Sequence, residues 1–341
     1  MPRTWAVGEV AAILDGHPEW AAEGGSCAGS AGPDPDRVGT GESYEAWRCG
    51  DLLLRVARRP VGELPADPTV EYAALHLAPD GLAPRPIALG ESVIGGMRYP
   101  WLAESVVPGR VLAPAAWTDA LRARLAAHLA RLHARTWPGP GAVTAAYSLT
   151  PGRIDIAGEI EHVVAWWSPR LGPPEREAWG PLVGPMRAYG QEVAPLFADL
   201  DRFALVHGDT VATNILVHAG VPRLIDWEWA RIGDPARDLG FLGGAVHADP
   251  WYAALSPTQI DAVLRAYAES GGLGDLAALR ARRDFWLVLE AFAVLAYLLW
   301  TVAETPQNAT PPTGHNWRPA AARSLLRTLP SALPGRRAPG D

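Results

Sequence analysis

The sequence predicts an α+β chain, a small antiparallel-sheet unit followed by a larger, mainly helical one. Three observations carry this. RVGTGESYEAWRCGDLLLRVARR, residues 37–59, reads as successive hairpins, apolar or alternating strands punctuated by Gly39-Thr40-Gly41 and Cys49-Gly50-Asp51. From Ala115 onward apolar residues recur at spacings of three and four, the signature of helices with one buried face. Within that helical part, residues 203–242 hold two short strand-like apolar runs, each ending in a polar cluster. A chain of 341 residues suits two domains or one bilobed unit and can bury a large core.

Thr4–Trp20 has loose helical periodicity, and the Gly/Pro/Asp-rich stretch Gly24–Asp36 reads as loop. After the hairpins, Thr69–Leu77 follows a proline and spaces its apolar residues as a helix does. A strand pair is expected at Arg85–Leu89 and Met97–Ala103, and the smaller unit ends near Glu104–Pro108. WTDALRARLAAHLARLHA sets leucine and alanine against arginine around a helix. Helices are also expected at 155–168, 181–200, 257–270 and 276–304. Past Thr305 the chain turns Pro- and Arg-rich and reads as a loosely held tail with one short helix at 318–328. The domains are accordingly 1–105, 106–305 and the tail 306–341.

Composition excludes several function classes. The net charge of −7 offers no basic face for a nucleic-acid backbone. All thirty basic residues are arginine, which, with abundant Ala, Gly and Pro, is a coding-bias signature. Cys27 and Cys49 are too few for a disulfide framework or a zinc site, and a reducing cytoplasm suits them. The start carries acids within its apolar part and reads as no signal peptide. Phe285–Trp300 is shorter than a spanning helix of about 20 residues and has Glu290 near its middle, so a buried helix and no membrane association are expected.

Chemistry concentrates in FALVHGDTVATNILVHAGVPRLIDWEWARIGDPARDLGFL. Phosphoryl transfer from a nucleotide needs a carboxylate beside the attacking hydroxyl, and further oxygens to hold magnesium on the phosphates. His207-Gly208-Asp209, then Asn214, then Asp226 twelve residues later supply those groups in order. Asp209 is the candidate base, which orients a hydroxyl and accepts its proton late. Asn214 and Asp226 are candidate Mg²⁺ ligands, since magnesium takes hard oxygens, and Glu228 is a candidate support for that site. Asp234 and Pro235 read as a helix cap. A metal-dependent hydrolase on His207, Asp209 and His218 is a far weaker reading, because such sites draw on several converging ligands.

HGDTVATN, IDWEWA and GDPARDL together resemble the aminoglycoside phosphotransferase family, whose relatives include choline, homoserine and fructosamine kinases. The likeness is strongest over 203–242 and weaker over roughly 35–300. It implies the two-lobed fold of protein kinases, with ATP or GTP as co-substrate and a small hydroxylated acceptor, cationic or neutral. An aminoglycoside-type antibiotic or related natural product comes first, and antibiotic resistance with it; choline-like and other metabolic alcohols come next. It also implies that His207 props the catalytic loop and that Asp238 bonds its backbone to hold Asp209 in place. Arg55 stands in the strand slot where relatives show Lys or Arg, and with Glu71 would aim a cation at the phosphates. Gly39 and Gly41 would approach the phosphates, and backbone around Leu102–Ser105, Ala103 and Ser105 among it, would meet the adenine.

Acceptor contacts are expected from the helical part. Glu290, Glu161, Glu159 and Glu304 would favour a cationic acceptor if they face the cleft. Glu290 is singled out because its neighbours are almost all apolar. Trp286, with Trp166, Trp167 and Trp300, would frame an aromatic wall. A monomer or homodimer is expected. A nucleotide-binding pseudokinase is the competing reading, motivated by the absence of Lys at position 55 and the thin glycine loop. Intact Asp209, Asn214 and Asp226 weigh against it.

Overall fold

A computed structural model of the chain describes residues 2–24, 34–304 and 317–333. The hairpins form an antiparallel sheet from β1 (Asp36–Thr40), β2 (Tyr44–Cys49), β3 (Leu52–Ala57), β4 (Pro86–Ile94) and β5 (Met97–Ser105), in the order β1-β2-β3-β5-β4. Side chains alternate across a strand, so the sheet has two faces with different tasks. Leu52, Leu54 and Val56 join Trp47, Trp101 and Ala103 on the outer face, under Trp5, Val10 and Leu14 of the N-terminal segment. That segment forms helix α1 (Val7–Asp15) and a 3₁₀ turn over Pro18–Glu23, divided because Pro18 cannot continue a helix. The residues between, Leu53 and Arg55 on β3 with Leu102 and Glu104 on β5, face the second helix and the larger lobe.

Helix α2 (Pro68–Leu77) starts where Asp67 accepts the Thr69 N–H and Pro68 takes the first helical position. It delivers Glu71, buried, to the inner face of the sheet. The chain then leaves β5 through β6 (Arg110–Val111) into α3 (Asp119–Leu132), capped by Thr118.

Short strands β7 (Thr136–Trp137), β8 (Gly141–Ala142), β9 (Phe203–Val206) and β12 (Arg231–Gly233) build one small sheet, and β10 (Ile215–His218) with β11 (Val221–Leu224) and β6 another. Helices α4 (Ile156–Trp167), α5 (Pro173–Trp179), α6 (Val183–Val193), α7 (Pro195–Ala198), α8 (Ala236–Gly240) and α9 (Pro257–Glu269) surround them. The single helix expected over 181–200 is two, because Pro195 begins a new one. α5 gave no periodic signal of its own, being only two turns long.

α10 (Leu276–Glu304) is long and apolar enough by composition to cross a membrane, yet it packs as the central core helix of the larger lobe. Phe285, Trp286, Phe292 and Leu295 on it are fully buried. The loose tail expected after Thr305 is corrected over its described part: α11 (Arg318–Ala332) buries Leu325 and Leu329 against α10. Its apolar residues repeat at helical spacing, and α10 supplies the surface that covers them. The expectation that a reducing cytoplasm suits the cysteines is corrected at Cys49, which is buried at the end of β2 and disulfide-bonded; Cys27 lies outside the described residues.

Candidate active site

The catalytic loop is held by one buried carboxylate. Asp238, on the first turn of α8, accepts the N–H of His207 at 2.8 Å and of Gly208 at 2.9 Å. His133 Nε2 lies 3.1 Å from the same carboxylate, and the Thr210 hydroxyl donates to the Asp238 carbonyl at 2.7 Å. Burial works against the charge of Asp238, but His133, His207 and the Gly208 amide hold its carboxyl below the usual range. Gly208 has φ +81, and a Cβ there would lie 2.3 Å from the Trp229 carbonyl oxygen, so only glycine lets the loop pass this close.

His207 donates from Nε2 to the Ile225 carbonyl at 3.0 Å and accepts the Asp209 N–H on Nδ1 at 3.2 Å. Both ring nitrogens are occupied, and burial lowers its pKa, so the neutral imidazole is a strut between the two motif loops. His218 lies exposed at the far end of β10. The hydrolase reading therefore has no converging ligands, and among the described residues no group of three or more His, Cys, Asp or Glu could hold a metal ion.

Asn214 joins the two carboxylates. Its Nδ2 donates to Asp209 Oδ2 at 2.8 Å, and its main-chain carbonyl accepts the Ile225 N–H at 3.0 Å, one residue before Asp226. Fixing Nδ2 on Asp209 points the Asn214 amide oxygen away from it, as a metal ligand requires. Asp226 itself has φ +68, a left-handed conformation uncommon outside glycine and strained enough to suggest a positional task. Burial first, then the charges of Asp226 and Glu290, push Asp209 up to about 8 against the opposing pull of Asn214 and Arg237. Glu228 is likewise pushed up to about 8, by burial and then by Asp226. Asp226 and the Asn214 amide are oxygen donors of the kind a hard divalent cation takes one or two of, the rest of its shell coming from phosphate and water.

From the smaller lobe, Arg55 reaches this cluster. It ion-pairs with Glu71 and places its second nitrogen 2.6 Å from Asp226 Oδ1. Burial disfavours its charge, but Glu71 and Asp226 hold the guanidinium well above its ordinary pKa. Glu71 also accepts the Trp227 N–H at 3.0 Å, so one carboxylate ties α2, β3 and the Asp226 loop together.

Several candidates sit elsewhere than expected. Ala103 is buried in the middle of the sheet, opposite Leu54 on one side and Ala88 on the other. Ser105 lies at the end of β5, where its Oγ accepts the Arg85 N–H and its own N–H goes to the Arg85 carbonyl. Gly39 and Gly41 flank the β1–β2 tip, but the Gly41 N–H is committed to the Tyr44 carbonyl at 2.8 Å. Trp286 is fully buried and donates to Asp234 at 3.0 Å, so it is core. Glu161 forms an exposed two-pronged pair with Arg187 at 2.6 and 2.8 Å, away from Asp209. Glu159 pairs with Arg231, and Glu290 with Arg237. Glu290 alone of the proposed acceptor residues stands near Asp209, on which its charge acts. Asp234 does more than cap α8 through the Ala236 N–H: it also holds Arg282 and Trp286 of α10.

Two residues at the site escaped the sequence reading. Glu104 is buried on the Arg55 face of β5, with Oε2 lacking a partner and its carboxyl pushed up to about 8, chiefly by burial. A glutamate inside the apolar run WLAES was the available signal. Tyr252 is buried with an unpartnered hydroxyl, under the influence of Glu290 and Asp209, and nothing in its loop sequence marked it.

The family model described as the phosphotransferase enzyme family (APH) matches residues 38–286. No curated protein matches the chain. Among solved structures, a choline/ethanolamine kinase family protein from Mesorhizobium loti is 20% identical, with a TM-score of 0.62, covering 97% of this chain and 95% of that one. Choline kinase from Cryptosporidium parvum is 11% identical, with a TM-score of 0.60 over 96% and 95%. The streptomycin–ATP complex of APH(2")-IIa is 14% identical, with a TM-score of 0.54 over 95% and 97%. These three share the fold, and the α+β reading with its sheet lobe and helical lobe stands. With 249 residues of the chain matched, from 38 to 286, it belongs to the phosphotransferase enzyme family and is a small-molecule kinase.

Proposed function

We propose that the chain transfers the γ-phosphate of ATP or GTP to a hydroxyl of a small molecule, with Asp209 as the base. The observation that carries this is the convergence of Asp209, Asn214 and Asp226, with Asn214 bonded to Asp209 and Asp226 bonded to Arg55 of the Arg55–Glu71 pair. Asp209 would orient the acceptor hydroxyl and take its proton as the bond to phosphorus forms. Asn214 holds that carboxylate in a single rotamer through Oδ2, leaving Oδ1 for the acceptor. Arg55 would turn from Asp226 to phosphate oxygens, for which a guanidinium has matching donors. Asn214 Oδ1 and Asp226 are the residues that would hold Mg²⁺, which when bound would neutralise phosphate charge. Glu228 would support that site.

For the acceptor, the resemblance and the solved structures support an aminoglycoside or related natural product and, as a second reading, a choline-like alcohol. The crystallised APH(2")-IIa holds streptomycin, whereas the M. loti and C. parvum proteins are named for choline.

The test measures nucleotide binding by thermal shift with and without Mg²⁺, then ATP and GTP turnover over a panel of hydroxylated acceptors. A Mg²⁺-dependent shift and acceptor-dependent turnover are expected. Binding without turnover on any acceptor would favour the pseudokinase. Asp226→Ala is expected to remove most of the Mg²⁺ dependence of nucleotide affinity, at least about tenfold, the scale of one lost charge-assisted contact. Unchanged metal dependence would refute the ligand assignment.

A further inference from the structure

α10 leaves one stripe only partly covered: Glu290, Ala293, Val294, Tyr297 and Thr301, at the three-and-four spacing of a single helix face. At one end Glu290 pairs with Arg237 beside Asp209. Seven residues on, the Tyr297 hydroxyl donates to Glu42 at the β1–β2 tip, which Arg318 also meets at 3.1 Å. The stripe thus runs from the neighbourhood of Asp209 to the hairpin of the other lobe.

Aromatic rings wall this stripe. Trp167 of α4 stands 6.1 Å from Tyr297 and 6.2 Å from Trp300, centroid to centroid. Trp251 lies 5.9 Å from Tyr297 and 4.6 Å from Trp317. All of these rings remain partly exposed, whereas Trp179, Trp227 and Trp286 are closed into the core. Burying five aromatic rings only in part, around one helix stripe, leaves ring faces for a ligand.

The charges beside the wall cancel. Glu290 has Arg237, Glu159 has Arg231 and Glu42 has Arg318. A molecule with several ammonium groups would have to displace arginines from carboxylates that already hold them, and breaking a part-buried pair leaves a charge uncompensated. A ring or apolar face, by contrast, gains by stacking, and a single cation over such rings contributes about 0.5–2 kcal/mol.

We infer that the acceptor site of this kinase is the wall formed by Trp167, Trp251 and Tyr297, and that it takes a hydroxylated molecule with a broad apolar or ring face and at most one positive charge. This rests on the phosphotransfer reading above and names its acceptor class. It replaces the expectation that Glu161, Glu290 and Trp286 favour a cationic acceptor.

The test uses the full chain with Mg²⁺ and a non-hydrolysable ATP analogue. Affinities are measured by calorimetry for phenyl β-glucoside (uncharged), choline (one charge) and kanamycin (several charges). Phenyl β-glucoside or choline is expected to bind, with affinity changing less than threefold between 50 and 300 mM NaCl. Trp251→Ala and Trp167→Ala are expected to weaken that binding at least tenfold and leave nucleotide affinity unchanged; Trp251→Phe, which keeps a ring, is expected to recover most of it. Kanamycin binding more tightly than both, with steep salt dependence, would overturn the inference. So would binding indifferent to loss of either ring, or no binding by any of the three while nucleotide binds normally. Failure of nucleotide to bind at all would instead strike the phosphotransfer reading and remove this inference with it.

Discussion

Replacing Asp209 by Asn is expected to lower turnover by about 10²–10⁴-fold, the range a positioned general base contributes, while nucleotide affinity changes by less than about threefold. Asn keeps the shape and the contact with Asn214 but cannot accept the proton of the acceptor hydroxyl. The substitution has a second, opposite effect on stability. Asp209 is pushed up to about 8 in the folded chain, against an ordinary value of about 3.9. Across that window the folded state holds a proton that the unfolded state has lost, so this group's contribution to stability falls as pH rises from about 4 to 8 and levels off above. Asp209→Asn removes that loss. Its thermal midpoint should match the parent's near pH 4.5 and exceed it by about 2–5 °C at pH 8. Near-normal turnover would remove Asp209 as the base. An equal midpoint at both pH values would show that its carboxyl is not held protonated.

The largest structural effect is expected at Asp238. Asp238→Ala strips the acceptor from the buried N–H groups of His207 and Gly208 and from His133 at once. Removing one side of a buried charged network costs about 3–5 kcal/mol, and in a chain of this size the thermal midpoint should drop on the order of 10 °C. Asp238→Asn, which keeps one acceptor oxygen, should lose about 1–3 kcal/mol. Turnover should fall in both variants beyond what instability explains, because Gly208 and His207 set the position of Asp209. Measuring kcat and KM well below each variant's midpoint checks this. A variant as stable and as fast as the parent would refute the positioning role.

The His207–Asp238 half of the candidate site was legible because it is local in sequence. Asp209, Asn214, Asp226 and Asp238 fall within thirty residues of one another, and a hairpin brings such positions together whatever the rest of the chain does. Arg55 and Glu71 could be paired because a strand slot and the following helix have a fixed relation, which the Arg55–Glu71 contact reflects. The acceptor side was not legible in this way. Glu290, Glu159 and Glu161 look alike in sequence, each an acid on an apolar helix. Only the placement of Arg237, Arg231 and Arg187 decides that all three are paired, and that just Glu290 stands by Asp209.

The tryptophans make the same point. Trp286 and Trp167 are both aromatic positions on helices, but one is sealed in the core and bonded to Asp234 while the other stays partly exposed. Amphipathic spacing tells which face of a helix is apolar; it does not tell which neighbour covers it.

By itself the sequence determined the two-part α+β architecture, most helices of the larger lobe and the family to which the motif segment belongs. Periodicity and motif spacing are properties of neighbours along a chain, and they need no partner to be read. Tertiary structure alone decided which acids keep their charge, which rings stay open and what closes over them. Those outcomes depend on desolvation and on pairing between segments up to 276 residues apart, as between Glu42 and Arg318.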